Sequence, residues 1–536
     1  MSHRYKLLIL LALAGAGCQK LNQSPGDKYT DANYWTTPAN ASALLNTAYM
    51  QMYGSDVFFY NEGLSDNCYC SRGDQDGAFS IASGSFNTNN GRFESEWSGH
   101  YSGIKSCNVL LDNVDKVPNY PVDQKDSLIA QARFIRAFQY WQLMTWFGDV
   151  PLFDHDITLE ESQTIPRTPR AQVLAFVLSE LNAAQAVLPA SWDAADLGRI
   201  TRGACMALKA RVQLYEGNWA AVASICDSLI ASQTYALVPN YANIFSITNE
   251  HNSEVILDEE FVPTQRMYGW TFDLIPISAG ARDNALGPTQ SLVDDYLMMN
   301  GDTVTQAGSG FDPNNPYVSR DPRMTATLVY HLYNWTVPGG ASHTIYIKPG
   351  SDTTATKHAD EYVPNGGFGS ATGYYWRKYF DWTAQPGENS GLDLILIRYA
   401  DVLLMDAEAK NELGQFTAAN WTQTIGALRT RAGFTDPNAT QFNAAWTQGQ
   451  LRAIIRRERR CELALEGLRV FDIRRWRTSE VVMNGTVHGA MFGDPSVDGG
   501  YIRVGQRIFN PARDYLWPIP LYEMQQNSHL TQNPNY

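Results

Sequence analysis

TRGACMALKARVQLYEGNWAAVASICDSLIA, residues 201–231, spells out a helical hairpin. Ala204, Leu208, Val212 and Tyr215 recur at the helical period and keep one apolar face. Glu216-Gly217-Asn218 turns the chain, and Val222, Ile225 and Leu229 line the return helix. Upstream, Ser127 to Phe147 reads as a helix apolar around most of its circumference, with Phe134, Ile135, Phe138, Trp141 and Leu143. Gly148 and Pro151 stop it. A helix so apolar belongs between neighbours. Arg133 and Arg136 interrupt its surface and are expected to make structural ion pairs. Downstream, Ala400, Leu403, Leu404 and Ala407 occupy i, i+3, i+4 and i+7. Gly414 then breaks the helix, and Ile425, Leu428 and Arg429 belong to the partner of a second hairpin.

The spacing of Leu214, Gly217 and Trp219 resembles the turn of a tetratricopeptide repeat, but the hairpins lie too far apart for a regular array. What interrupts them is informative. From about Asn240 to Gly391 helical periodicity fades and Gly, Pro, Asn and Asp become frequent. Within it Met324 to Trp335 alternates as a strand, with Thr344 to Ile347 as its expected hairpin partner. Asp56 to Phe93 has the same loop-rich character. Long loops on a rigid scaffold are where binding function concentrates. The chain therefore divides into a leader over 1–17, a helical region with a first binding loop over 18–239, a loop-rich insertion over 240–391 and a second helical region over 392–536.

The 41 basic and 55 acidic side chains leave a net charge of −14. That argues against nucleic acid or an anionic membrane face as a direct partner, since both are held by Lys/Arg clusters. The 14 Trp, 28 Tyr and 22 Phe exceed what an ordinary core asks for and suit a surface that stacks flat ligands. Arg4 and Lys6, the apolar run Leu7 to Ala14 and the small residues Gly15-Ala16-Gly17 read as an export signal ending at Cys18. The apolar run is too short to cross roughly 30 Å of hydrocarbon. Cleavage before Cys18 leaves a thiol for lipid attachment, although Gly15 stands where a lipoprotein signal usually carries an aliphatic residue.

Of the other six cysteines, Cys68 and Cys70 share a loop, where oxidation and soft-metal binding are both open. Cys107, Cys205, Cys226 and Cys461 fall in helices as small hydrophobes. No Gly-rich phosphate loop, G-x-S-x-G elbow or H-E-x-x-H helix occurs, and no cofactor or metal is expected. Glu458 and Glu462 lie on one stripe of a helix over 451–476 and are candidates for an acid/base pair. Local arginines such as Arg456, Arg459, Arg460 and Arg469 outnumber them, so they read as structural, because buried charge persists only when paired.

Ordered blocks run nearly end to end. They are Tyr34-Trp35 with Ala43 to Tyr49, then Trp97, Tyr101, Ile104 and Asn108, then Ala132 to Ala137 followed by Phe147-Gly148-Asp149-Val150-Pro151-Leu152. Next come Pro288 to Gly301, Arg320-Asp321-Pro322-Arg323, Ile397 to Asp401 through Ala407-Glu408-Ala409, and Arg429 to Gly433. The last are Glu458-Arg459-Arg460 to Arg469 with Phe471-Asp472, and Pro518-Ile519-Pro520 to Tyr536. Together these resemble the SusD/RagB family of outer-membrane nutrient-binding lipoproteins. Asn535 departs from the family's penultimate Gly, and Asn also tolerates left-handed backbone.

The resemblance implies a mostly α fold on tetratricopeptide-like hairpins, with a loop-rich, partly β half carrying the ligand site. It further implies a non-catalytic lid, lipid-anchored on the extracellular face of the outer membrane. Such a lid passes oligosaccharide, or in some members peptide, to a SusC-like TonB-dependent transporter. Arg133, Glu458, Glu462, Glu466 and Arg469 carry over as structural ion pairs. Binding residues do not transfer by motif, so they are read from chemistry: rings for sugar faces, Asn, Asp and Arg for hydroxyls. The candidates are Asp66, Asn67, Tyr69 and Arg72 in the first loop, Tyr268, Trp270 and Arg282 in the insertion, and the strand face His331, Tyr333 and Trp335. Two other classes remain open: a surface glycoside hydrolase with paired carboxylates and a peptide-binding helical scaffold.

Overall fold

In the computed structural model, residues 31–353, 359–364, 367–384 and 389–536 are described; Cys18 and the leader lie outside them. The helices begin where capping chemistry starts them. Pro38–Met50 (α1) opens with Pro at its first turn and the Thr37 side chain accepting from Asn40 N. Gly91–Asn113 (α2), Val122–Phe147 (α3), Arg170–Val187 (α4), Arg202–Tyr215 (α5) and Trp219–Ala231 (α6) follow. The α3 helix starts five residues before the expected Ser127, because Pro121 precedes it as a non-helical cap. Gly217, at φ +70°, makes the turn between α5 and α6.

After the insertion, Tyr399–Glu412 (α7), Ile425–Ala432 (α8) and Gln448–Glu462 (α9) resume the scaffold. The array is interrupted in sequence but continuous in space. Each of α2, α3, α4, α5 and α6 packs on the next, α6 packs on α7 and α7 on α9. Of the described residues 45% are helical, and among them no helix is long and apolar enough to cross a membrane.

The insertion is a closed excursion. Val255–Glu259 (β2) near its start pairs antiparallel with Leu394–Arg398 (β8) at its end. Between them lie Leu286–Pro288 (β3), Leu328–Val329 (β4), Tyr333–Trp335 (β5), His343–Ile345 (β6) and Tyr375–Trp376 (β7). All described sheets are two-stranded. The segment expected as one strand over Met324 to Trp335 is divided. Asp321 caps and Pro322 starts a short helix, Pro322–Thr327, and Leu332 at φ +68° breaks the alternation before β5. The hairpin itself forms, Tyr333 facing Ile345 and Trp335 facing His343. Phe272, Ile275, Val329, Trp335, Ile345 and Tyr375 build a small second core beneath this half.

The ending block works as a latch. Asn533 Nδ2 donates to Phe147 O at 2.9 Å and Trp517 O at 2.6 Å, and the Trp146 and Trp517 rings stack at 3.8 Å. Asn535 adopts φ +68°, the conformation a glycine takes most readily. Cys68 and Cys70 lie on a strand, Cys68–Cys70 (β1), rather than in a loop. All six described cysteines are buried free thiols, and burial pushes Cys70 up to about 12.

Candidate functional site

Strand pairing brings the first loop to the insertion. Antiparallel β1–β3 sets Tyr69 opposite Gly287, and Ser71 extends the ladder by donating from its backbone N to Ala285 O. Arg72 thereby meets Asp283, Nη1 to Oδ2 at 3.0 Å. Arg72 Nη1 and the other carboxylate oxygen, Asp283 Oδ1, are both buried without a hydrogen-bond partner among the described residues. The Arg72 guanidinium lies 4.6 Å from the centre of the Phe368 ring, which is 66% exposed. Beside them Arg282 grips the turn below: Nε and Nη2 donate to Asp273 and Nη2 also to Gly269 O. The Trp270 ring, half-buried, stands edge-on to Tyr60 at 5.6 Å. Burial raises both carboxyls, Asp273 and Asp283, against the pull of their arginines.

This patch holds an unsatisfied donor, an unsatisfied acceptor and an open ring face within one neighbourhood. A sugar hydroxyl both donates and accepts, and the apolar face of a pyranose stacks on an aromatic ring. Of the ten candidate residues it gathers Arg72, Trp270 and Arg282. Tyr69 lies next to it in sequence, half-buried with its ring against exposed Phe79. Phe368, Asp273 and Asp283 were missed. Asp283 directly follows Arg282 and Asp273 lies three residues after Trp270, so each stands near a candidate in the sequence.

The other candidates are placed differently. Asp66 is 3% exposed and sits between arginines: Arg469 donates to both its oxygens at 2.7 and 2.9 Å, and Arg460 approaches to 3.0 Å. Burial works against its charge, but Arg460 and Arg469 outweigh it and hold the carboxyl well below the usual range. Asn67 is fully buried, donating to Glu62 and accepting from Arg460. Tyr268 is core, wedged between Phe59 and Phe261. Trp335 is 1% exposed beneath Arg377 and Phe380. All four side chains are buried in this structure.

His331 lies in the turn, its Nδ1 accepting from the backbone of Ile347 and Lys348, and Tyr333 donates its hydroxyl to Thr325 O. Tyr333 also lines a cavity of about 690 Å³ with Arg377, Trp382, Asn243 and Thr336, a concavity that shares no residue with the Arg72 patch.

The paired glutamates of α9 belong to a buried charge lattice. Glu458 accepts from Arg323 and Arg429. Glu462 accepts from Arg323 at 2.8 Å, from Arg398 at 2.7 Å and from Arg431. Glu466 takes Arg398 and Lys378, and Arg133 reaches Glu180 at 3.6 Å. The partners of Glu458 and Glu462 are not the neighbouring arginines of the sequence reading. Arg459 serves Asp401 and Asp472, and Arg460 serves Asp66 and Asp295. Burial opposes the charge on Glu462, but Arg431, Arg398 and Arg323 hold its carboxyl well below normal, which is wrong for a general acid or base near neutrality.

Comparison with known proteins agrees with this architecture. Residues 253–536 match the model of the SusD family, and residues 23–214 match one described as starch-binding associating with outer membrane. SusD-like protein P25 of Formosa agariphila is 28% identical over 444 residues, 82% of this chain and 78% of its own length. SusD-like protein P2 of the same organism is 26% identical over 565 residues, 99% and 100% respectively. The crystal structure of a SusD-like carbohydrate binding protein of Bacteroides fragilis superposes with a TM-score of 0.83 at 28% identity, covering 93% of this chain and all of that one.

Proposed function

Because the chain belongs to the SusD family, we propose that it captures oligosaccharide at the cell surface without cleaving it. Held by a lipid on Cys18 at the extracellular face of the outer membrane, it passes the ligand to a SusC-like TonB-dependent transporter. The observation that carries the glycan reading is the Arg72–Asp283–Phe368 patch: a partly exposed ion pair, each partner of which keeps an atom without a hydrogen bond, beside an exposed ring. The description of its B. fragilis relative as carbohydrate binding supports the ligand class, and the outer-membrane description of the family matched over 23–214 supports the location. The arginines that hold Glu458 and Glu462 below the ordinary carboxylate range speak against these two as a hydrolytic acid/base pair.

A glycan array probed with the purified protein tests the ligand class, followed by analysis of each bound oligosaccharide for cleavage. Binding with the oligosaccharide recovered intact is expected. Turnover would replace this reading with a hydrolase, and an array on which nothing binds would remove it. Membrane extraction tests the partner: recovery with a TonB-dependent barrel is expected, and recovery only with soluble proteins would reject the lid.

A further inference from the structure

We infer that His251, Asp258, Glu260 and Asp393 form a binding site for a divalent transition cation of the Zn²⁺/Mn²⁺ class, where the insertion leaves and rejoins the helical scaffold. The β2–β8 ladder pairs Asp258 with Ile395 and Glu259 with Leu394, and one further step sets Glu260 opposite Asp393. Residues two apart on a strand share a face, so Asp258, Glu260 and Asp393 project to one side at the end of the sheet. His251, from the turn before β2, faces them, with Nδ1 3.8 Å from Asp258 Oδ2 and 3.6 Å from Glu260 Oε1. One ligand atom from each of the four lies within 4.8 Å of all the others.

Like charges directly opposite on paired strands repel, and among the described residues they are offset only in part, by His251 and by Arg266 near Glu260. Asp258 is 5% exposed, yet its Oδ2 accepts no hydrogen bond among the described residues; Glu260 Oε1 is buried in the same state. Arg266, beside the strand, is engaged by Glu259 and by the Glu260 carbonyl. The remaining geometry fixes the donors in place. Phe261 N donates to Asp393 Oδ1 at 2.6 Å, orienting that carboxylate. Glu260 rests on Gly198, where a Cβ would come within 1.8 Å of Oε1 and where φ of +85° favours glycine. One imidazole with three carboxylates is a mixed nitrogen and oxygen set that suits Zn²⁺ or Mn²⁺; Ca²⁺ prefers oxygen alone. The cation ties the loop carrying Gly198, the His251 turn and both strands together. Its role is structural.

The full chain, stripped with a chelator and dialysed, is titrated with ZnCl₂, MnCl₂ or CaCl₂ while bound metal and melting temperature are measured. About one equivalent of Zn²⁺ or Mn²⁺ per chain, with a rise in melting temperature of several degrees, is expected. His251→Ala, a change at a partly exposed turn that keeps the fold, and Asp258→Asn should each lose both responses. No uptake by the wild type, the same uptake by both variants, or a response to Ca²⁺ alone would overturn the assignment. So would an Asp258→Asn protein that melts higher with no metal dependence in the wild type, which would mean that the carboxyls simply share protons. Glycan affinity is a separate readout on the same samples, so failure here and failure of the glycan reading are distinguishable.

Discussion

Glu462→Gln isolates what the buried lattice contributes. The carboxylate is fully buried and faces three guanidiniums, Arg323, Arg398 and Arg431, two of them themselves about 99% buried. Replacing it by an amide of the same shape keeps the packing and removes one negative charge. Three cations are then left with less counter-charge, and the amide NH₂ has to face an arginine. Breaking a buried pair from one side costs about 3–5 kcal/mol. An unfolding entropy of about 2.1 cal/mol/K per residue over 536 residues gives about 1.1 kcal/mol per kelvin. The melting temperature should therefore fall by about 3–4 °C, read by scanning calorimetry with far-ultraviolet dichroism unchanged at 20 °C. Affinity for glycan should not move, because Glu462 lies away from the Arg72 patch. A melting temperature within about 1 °C of wild type would refute the argument that the arginines depend on this charge. Lost glycan affinity at unchanged stability would return Glu462 to the list of ligand or catalytic groups.

Gly467 takes φ +72°, and a Cβ there would lie 2.8 Å from Phe58 O; Gly467→Ala should cost more than about 1 kcal/mol by chemical denaturation, and a neutral result would mean that the turn relaxes freely. Acid should unfold the protein steeply between about pH 4 and pH 2. The arginine-held carboxyls of Asp66, Asp401 and Glu462 have folded values below their unfolded ones despite burial, so their stabilisation is present above the ordinary carboxylate range and lost as pH falls. Glu62, pushed up to about 7 by burial, has the opposite sign and trims stability as pH rises from about 4.5 to 7; a melting temperature flat from pH 5 to pH 2 would contradict the first of these. Cys18→Ala should release the protein from washed membranes, and full retention would show that the barrel alone holds it.

The helices were legible because period and caps are local. Gly148 with Pro151, and Gly217 between two apolar stripes, mark helix ends with no knowledge of what packs where. The spatial continuity of α6 with α7 was not legible, since the insertion separates them in sequence. The same limit governs the site. Asp66 and Asn67 have the composition of a binding loop, yet that composition is equally what buried Arg460 and Arg469 require, and these stand some four hundred residues away. Met324 to Trp335 alternates as a strand should, but Asp321-Pro322 starts a helix there. Tyr268 and Trp335 look like stacking rings because size and aromaticity are the same for a core residue. Arg72 and Arg282 were legible as chemistry, but their union depends on the β1–β3 register. The ligand set His251, Asp258, Glu260 and Asp393 depends on the β2–β8 register. Neither register is written in local pattern.

The most direct measurement of the central claim is isothermal titration of the best array glycan against wild type, Arg72→Ala and Phe368→Ala. Phe368 is 66% exposed and Arg72 pairs at a partly exposed position, so both variants should melt within about 1 °C of wild type. If this face stacks a sugar and answers its hydroxyls, each variant should bind at least about tenfold more weakly, a difference of about 1.4 kcal/mol. Two variants that bind as tightly as wild type would contradict it and move the search to the cavity lined by Tyr333 and Trp382.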